Sequence, residues 1–371
     1  MRKSCCIWLF CLLLLVTGCR DSRVIEELAL IDTISADKAE KENDQDLLMI
    51  GVSIPKIDPR AKEPRETIFT TSRTFKEARI HISGQTSRRL VSGQVRNIMF
   101  GSELARDGVW KHIDTFVRDP SIGQRVKVVV VNGNAAKLLN SQYPQHGVIG
   151  YYIGELLDKQ AAVSALPEVN MYNFSRDYLD DGIDPVAPVI IGQEKHISMD
   201  GIGLFRDDRY ITKIPHEKSL IFTLLRGIIK QGEMSLDLSK GNEKKFLQVS
   251  SVASGRKVKV KKTQHPTSRF EVYLQLELRG TVREYIGPSR LESYDDQKRM
   301  EKEVGEYLEK EAELMIRQMQ RHQVDSIGIG QYVRNSMSYQ EWKKLDWHSV
   351  YPQVPIHVNV RAKIKDFGKF E

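Results

Sequence analysis

Cysteine is scarce in this 371-residue chain. The four cysteines, Cys5, Cys6, Cys11 and Cys19, all lie within the first nineteen positions. Beyond Cys19 no disulfide or thiolate metal site can form, so stability must come from a packed core. Long apolar runs are also lacking. The one candidate is the charge-free stretch of twelve residues from Cys5 to Val16, short of the roughly 20 needed to span a bilayer as a helix. A polytopic transporter or channel is thereby excluded. With Gly 25 and Pro 13, collagen-like and proline-rich architectures are excluded too.

Catalytic signatures are equally thin. The histidines are scattered, with no pair at the i, i+4 spacing of a helical zinc site and no H-E-x-x-H. There is no G-x-S-x-G elbow and no phosphate-binding loop. Gly201-Ile202-Gly203 and Gly328-Ile329-Gly330 lack the third glycine of a dinucleotide loop and read as close-packed turn or strand glycines. Asp177, Asp180, Asp181 and Asp184 gather around Gly182. With Gly182 at the sixth position of a calcium loop, Leu179 and Pro188 fall where ligands are required, so the loop fails. The segment reads as a solvated acidic linker. No metal and no catalytic residue is expected.

What is present is, first, a targeting device. Arg2 and Lys3 precede the apolar run, which ends in Val16-Thr17-Gly18-Cys19. An aliphatic residue, two small residues and a cysteine resemble a bacterial lipobox, with residues 1–18 as signal peptide. Cys19 is the expected lipidation site, carrying diacylglycerol or palmitate as the sole covalent addition, and no other cofactor is expected. Removing Arg2 and Lys3 lowers the formal charge from +7 to +5. Two or more acyl chains anchor stably where one binds marginally. Nucleic acid is not an expected partner of an exported chain.

At 40% hydrophobic and 28% charged residues, the remainder is ordinary globular chemistry, enough for two domains or three smaller ones. The patterning points to an α+β multidomain protein. Residues 19–195 read as a mixed α/β domain of one or two lobes. Strands are expected at Leu47–Ile54, Val95–Phe100 and Val126–Val131, and helices at Thr70–Ile82, Glu103–Val117, Ala135–Leu139 and Tyr151–Ala162. Asp37–Asp46 reads as a polar loop. Residues 196–371 read as an α+β domain opened by a hairpin about Arg206-Asp207-Asp208-Arg209, with a largely antiparallel sheet packed on a long helix, Ser293–Gln323. Its buried stripe is Met300, Val304, Leu308, Ala312, Met315 and Met319. Lys257, Lys259 and Lys261 read first as the solvated side of a strand or as protection of an edge from pairing, with lipid head groups or a partner as the alternative contact. Trp342 and Trp347 flank Lys343-Lys344; core packing is the default reading of the pair, and Trp342 is the candidate partner contact.

Several of these segments together resemble the Ger(x)C family, the lipoprotein C subunits of spore germinant receptors. They are Gly18-Cys19-Arg20-Asp21 with Ile25-Glu26-Glu27-Leu28-Ala29; Gly101-Ser102-Glu103-Leu104-Ala105 with Gly108; Phe116-Val117-Arg118-Asp119-Pro120; Asp184-Pro185 with Pro188; Gly201 to Arg209, followed by Glu217; and Asp325 to Gly330 with Trp342. Arg20, Gln94 and Ser102 depart from the family pattern. The resemblance implies a multidomain α/β fold of unusual topology and a non-enzymatic role in germination. It further implies a lipid-anchored position on the outer face of the spore inner membrane, and assembly with two polytopic subunits. A lipid-anchored solute-binding protein is the alternative.

Overall fold

The computed structural model describes residues 27–39, 47–56, 63–144, 146–163, 166–227, 229–264, 269–288 and 291–366. Its largest element is an eight-stranded mixed sheet, ordered β10-β9-β8-β7-β6-β2-β3-β4. The strands are β2 (Thr33–Lys38), β3 (Leu48–Pro55), β4 (Arg65–Ser72), β6 (Asn97–Gly101), β7 (Lys127–Val131), β8 (Val186–Gly192), β9 (Ile197–Arg206) and β10 (Arg209–Pro215). The central strands β2, β6, β7 and β8 run parallel and are flanked by antiparallel hairpins on both sides. The run Val128-Val129-Val130-Val131 is buried throughout, as a strand covered on both faces requires. Short β1 (Leu28–Leu30) pairs with β5 (Arg89–Val91) beside this sheet.

The covering helices are α1 (Phe75–Ser83), α2 (Ser102–Asp107), α3 (Trp110–Val117), α4 (Ala135–Asn140), α5 (Ile149–Ala162) and α6 (Met171–Leu179). The expected helix at Thr70–Ile82 begins only at Phe75, capped by the Thr74 side chain; its first residues finish β4. The expected helix at Glu103–Val117 is two, broken at Gly108, whose φ of 114° is left-handed and open chiefly to glycine. Asp37 is not in a loop. It is buried in β2 and accepts from the backbone N–H groups of Ala135 and Ala136 at 2.8 and 2.7 Å, neutralising the N-terminus of α4.

The boundary expected at 195/196 falls inside the large sheet, between β8 and β9. The hairpin β9–β10, expected to open the second domain, completes the first sheet. Helix α7 (Ser219–Arg226) then leads to a four-stranded sheet, β11 (Met234–Asp237), β12 (Phe246–Lys262), β13 (Phe270–Ile286) and β14 (Ile356–Asp366). Its first three strands are antiparallel, and β14 lies parallel to β13. Helix α8 (Tyr294–Arg321) crosses one face, with its expected stripe buried. A Cβ on Gly305 would stand 2.9 Å from the Val360 carbonyl oxygen, so this glycine lets helix and strand close up. Three short helices, α9 (Ile329–Arg334), α10 (Tyr339–Lys343) and α11 (Trp347–Val350), return the chain to β14. Among the described residues, no helix is long and apolar enough to cross a membrane.

Candidate functional site: the carboxylate junction

The acidic segment that begins at the end of α6 is not a solvated linker. Asp177 and Asp184 are each 3% exposed, and the segment joins the large sheet to the α8–α11 region. Pro188, which suggested a linker, sits within β8. It pairs with Ile202 of β9, while β7 reaches only Val189 and Ile190, so the proline stands just outside the β7 ladder.

At the centre, Asp184 and Asp325 bind each other's backbone. The Asp184 N–H donates to the Asp325 carbonyl at 3.0 Å, and the Asp325 N–H donates to Asp184 Oδ2 at 2.6 Å. Asp184 Oδ1 accepts from the Asp207 N–H and lies beside His348 Nε2, each at 3.1 Å. This carboxylate raises the imidazole's pKa against the opposing effect of burial. Asp325 accepts from the N–H groups of Ile329 and Gly330 at 2.9 and 2.6 Å and from Trp347 Nε1 at 2.9 Å. Burial nevertheless pushes its pKa up to about 6, because desolvation of the anion outweighs the three donors that favour it.

Two glycines permit the crossing. Gly182 has φ of 92°, and a Cβ there would meet the Gly330 carbonyl carbon at 2.5 Å; one on Gly330 would meet Trp347 Nε1 at 2.5 Å. At this close approach the Gln331 N–H donates to the Gly182 carbonyl at 3.0 Å. Around it, Asp180 accepts from Gln331 Nε2 and Arg334 Nη1, each at 2.5 Å. Asp181 accepts from Trp342 Nε1 at 3.3 Å and faces Lys343 Nζ at 3.2 Å. Deeper, Asp177 pairs with Arg226, whose guanidinium also donates to the Ser326 carbonyl. Arg256 Nη1 donates to the Arg226 carbonyl at 2.8 Å. The Asp177–Arg226 pair meets the condition under which buried charge is tolerated, being both partnered and hydrogen-bonded.

A cleft of about 230 Å³ opens over Tyr178, Asp181, Trp342 and His348. Ligand atoms of Asp184, Asp207 and His348 lie within 4.8 Å of one another. A cation there would have to displace the hydrogen bonds that already engage both Asp184 oxygens and His348 Nε2. The arrangement therefore ties the end of α6 and the start of β8 to the α8–α11 region.

Val16, Thr17, Gly18 and Cys19 lie outside the described residues. Trp342 is 5% exposed and packs on Trp347 with ring centroids 5.8 Å apart, so it is an internal junction residue with little surface to offer a partner. Sequence reasoning placed Trp347 beside Trp342 but not against Asp325, and it did not single out His348 or Arg226. The available signal was the pairing of Asp325-x-x-Gly328-x-Gly330 with a downstream tryptophan; it is the tryptophan farther along the sequence, Trp347, whose indole N–H reaches Asp325.

The motifs quoted for the family resemblance meet across the large sheet as well. The Gly108 turn abuts the β9–β10 hairpin: the Trp110 N–H donates to Asp208 Oδ2 at 2.9 Å and the Val109 N–H to the Asp208 carbonyl at 3.0 Å.

Comparison with known proteins agrees over nearly the whole chain. The family described as "Spore germination protein N-terminal domain" matches residues 21–191, and that described as "Spore germination B3/ GerAC like, C-terminal" matches residues 200–368. Spore germination protein GerQC of Bacillus cereus is 23% identical, over 98% of this chain and 99% of its own. Spore germination protein KC of Bacillus subtilis is 21% identical, over 99% and 97%. The crystal structure of the GerBC protein shares the fold with a TM-score of 0.57 at 14% identity, covering 90% of this chain and 97% of that one. Both halves of the family pattern are thus present in order in one chain, which belongs to the Ger(x)C family of spore germination proteins.

Proposed function

We propose that the protein is a lipid-anchored, non-enzymatic subunit of a spore nutrient germinant receptor, tethered through Cys19 to the outer face of the spore inner membrane. In this role it assembles with two polytopic membrane subunits and biases their response to nutrient. The observation that carries the reading is the full-length match to both halves of a family of spore germination proteins, joined to the lipobox Val16-Thr17-Gly18-Cys19.

The non-enzymatic part is supported by how the junction uses its polar groups. Asp177, Asp184 and Asp325 are each engaged by internal donors, which suits a structural role. A subunit of this kind works by binding one receptor state better than another. Replacing Cys19 with Ala tests the reading. The expected result is loss of the protein from the spore membrane fraction and impaired nutrient-triggered germination. Normal germination with the mutant protein off the membrane would overturn it.

A further inference from the structure

The four-stranded sheet has two unlike faces. One is apolar and covered by α8. On the other, Lys257 and Lys259 of β12, Arg279 of β13, and Arg361, Lys363 and Lys365 of β14 are all exposed. Lys261 extends the same row of β12, where its ammonium lies 4.4 Å from the centre of the Tyr273 ring. The carboxylates on this face are Glu271, already held by His357 at 2.9 Å, and Glu277, 3.8 Å from Arg279, with Asp366 at the strand's end. Among the described residues, no carboxylate lies within ion-pair distance of Lys257, Lys259, Arg361, Lys363 or Lys365.

Register turns this row into an array. Lys257 stands across from Gln275 and Asn359, Lys259 from Tyr273 and His357, Glu277 from Arg361, and Arg279 from Lys363. Neighbouring strands are about 4.8 Å apart and alternate residues along a strand about 6.7 Å. The cations therefore share one broad surface, with the small Gly255 and Ala253 between them. Polar Gln275 and Asn359 occupy its middle. The aromatic on this face, Tyr273, is stacked on His357 with ring centroids 5.0 Å apart, and among the described residues of the face no large aliphatic side chain stands beside it as a protein-binding hot spot would need.

We propose that this open sheet face rests on the anionic phospholipid surface of the membrane to which the chain is tethered. The inference rests on the anchoring reading above in one respect only: residues 19–27 span at most about 30 Å when extended, which would keep the first strand close to the bilayer. The contact itself is electrostatic, each cation near an anionic surface strengthening binding on the order of fivefold, and it weakens as salt screens it.

The test uses the chain from Arg20 onward, which holds every described strand and helix and carries no lipid. It is co-sedimented with vesicles of phosphatidylglycerol and phosphatidylcholine, and with phosphatidylcholine alone. Binding to the anionic vesicles only, falling steeply between 50 and 300 mM salt, is expected (concentrations of order-of-magnitude choice, spanning Debye lengths from roughly 14 to 6 Å). The triple substitution Lys257→Glu, Lys259→Glu, Lys363→Glu should cut affinity at least tenfold. The same charge change on the solvent side of α8, at Lys302, Lys310 and Arg321, should cut it far less; circular dichroism checks that both variants stay folded. Equal binding to neutral vesicles, or equal loss in both variants, overturns the proposal. So does capture by an acidic loop of a membrane subunit in place of vesicles. Because no lipid is attached, failure of the Cys19 reading would leave this result unchanged, and the two can fail separately.

Discussion

Two histidines in this molecule are treated in opposite ways. His112, on α3, is buried against Phe75 and Phe100, with ring centroids 5.6 and 6.2 Å away. Burial with Lys111 nearby lowers its pKa to about 4. His348, in the junction, faces Asp184, and its pKa is raised. The first region is an apolar core that excludes charge. The second is a polar seam in which charge is held between donors and acceptors. Packing in the first depends on shape alone, whereas orientation of the lobes in the second depends on matched groups from distant parts of the chain.

The largest expected effect breaks the seam at its buried ion pair. Asp177→Ala leaves Arg226 unpaired in a site where its side chain is 14% exposed, and should cost about 3–5 kcal/mol in chemical denaturation. Replacing Asp177 and Arg226 together with apolar residues should recover much of that loss, since the uncompensated charge is then gone. Next comes Gly330→Val. Its added carbon would overlap Trp347 and Gly182, and overpacking of this kind costs about 1–3 kcal/mol. A matching substitution at exposed Gly123, where a Cβ meets nothing within 4 Å, should be close to neutral.

Smaller, but sharper as a contrast, is the pH dependence of the two histidine variants. A raised folded-state pKa contributes stability below the unfolded value of about 6.5, lost as pH rises through the folded value. His348→Gln should therefore destabilise more at pH 6 than at pH 8. A depressed pKa has the reverse sign: His112 loses stability as pH falls from about 6.5 toward 4. His112→Gln, whatever its packing cost, should be relatively less damaging at pH 5 than at pH 8. Equal pH dependence in the two variants would erase the distinction between the regions. The smallest effect is expected from Trp342→Phe, which keeps the contact with Trp347 and removes one hydrogen bond to Asp181, about 1 kcal/mol.

The apolar region was far more legible in the sequence than the seam. The valine run of β7, the stripe of α8 and the alternation of β13 and β14 each announce themselves by local period. The seam does not, because its partners are far apart: Asp184 meets Asp325 across 141 positions, and Arg334 meets Asp180 across 154. A cluster of aspartates next to prolines carries the same local signal whether solvated or buried. The same limit explains β9 and β10. The hairpin was visible, but its neighbour in the sheet depends on long-range pairing with β8. The family matches end at 191 and resume at 200, while the hydrogen-bonded sheet runs through that interval. Sequence units and structural layers part company there.

A subunit of a membrane receptor should co-purify with its partners. The most direct measurement is to purify the tagged protein from detergent-solubilised spore membranes and identify its companions by mass spectrometry. Two polytopic proteins in fixed proportion are expected. Recovery of the protein alone, under conditions that keep a known receptor complex intact, would contradict the account and favour a solute-binding role instead.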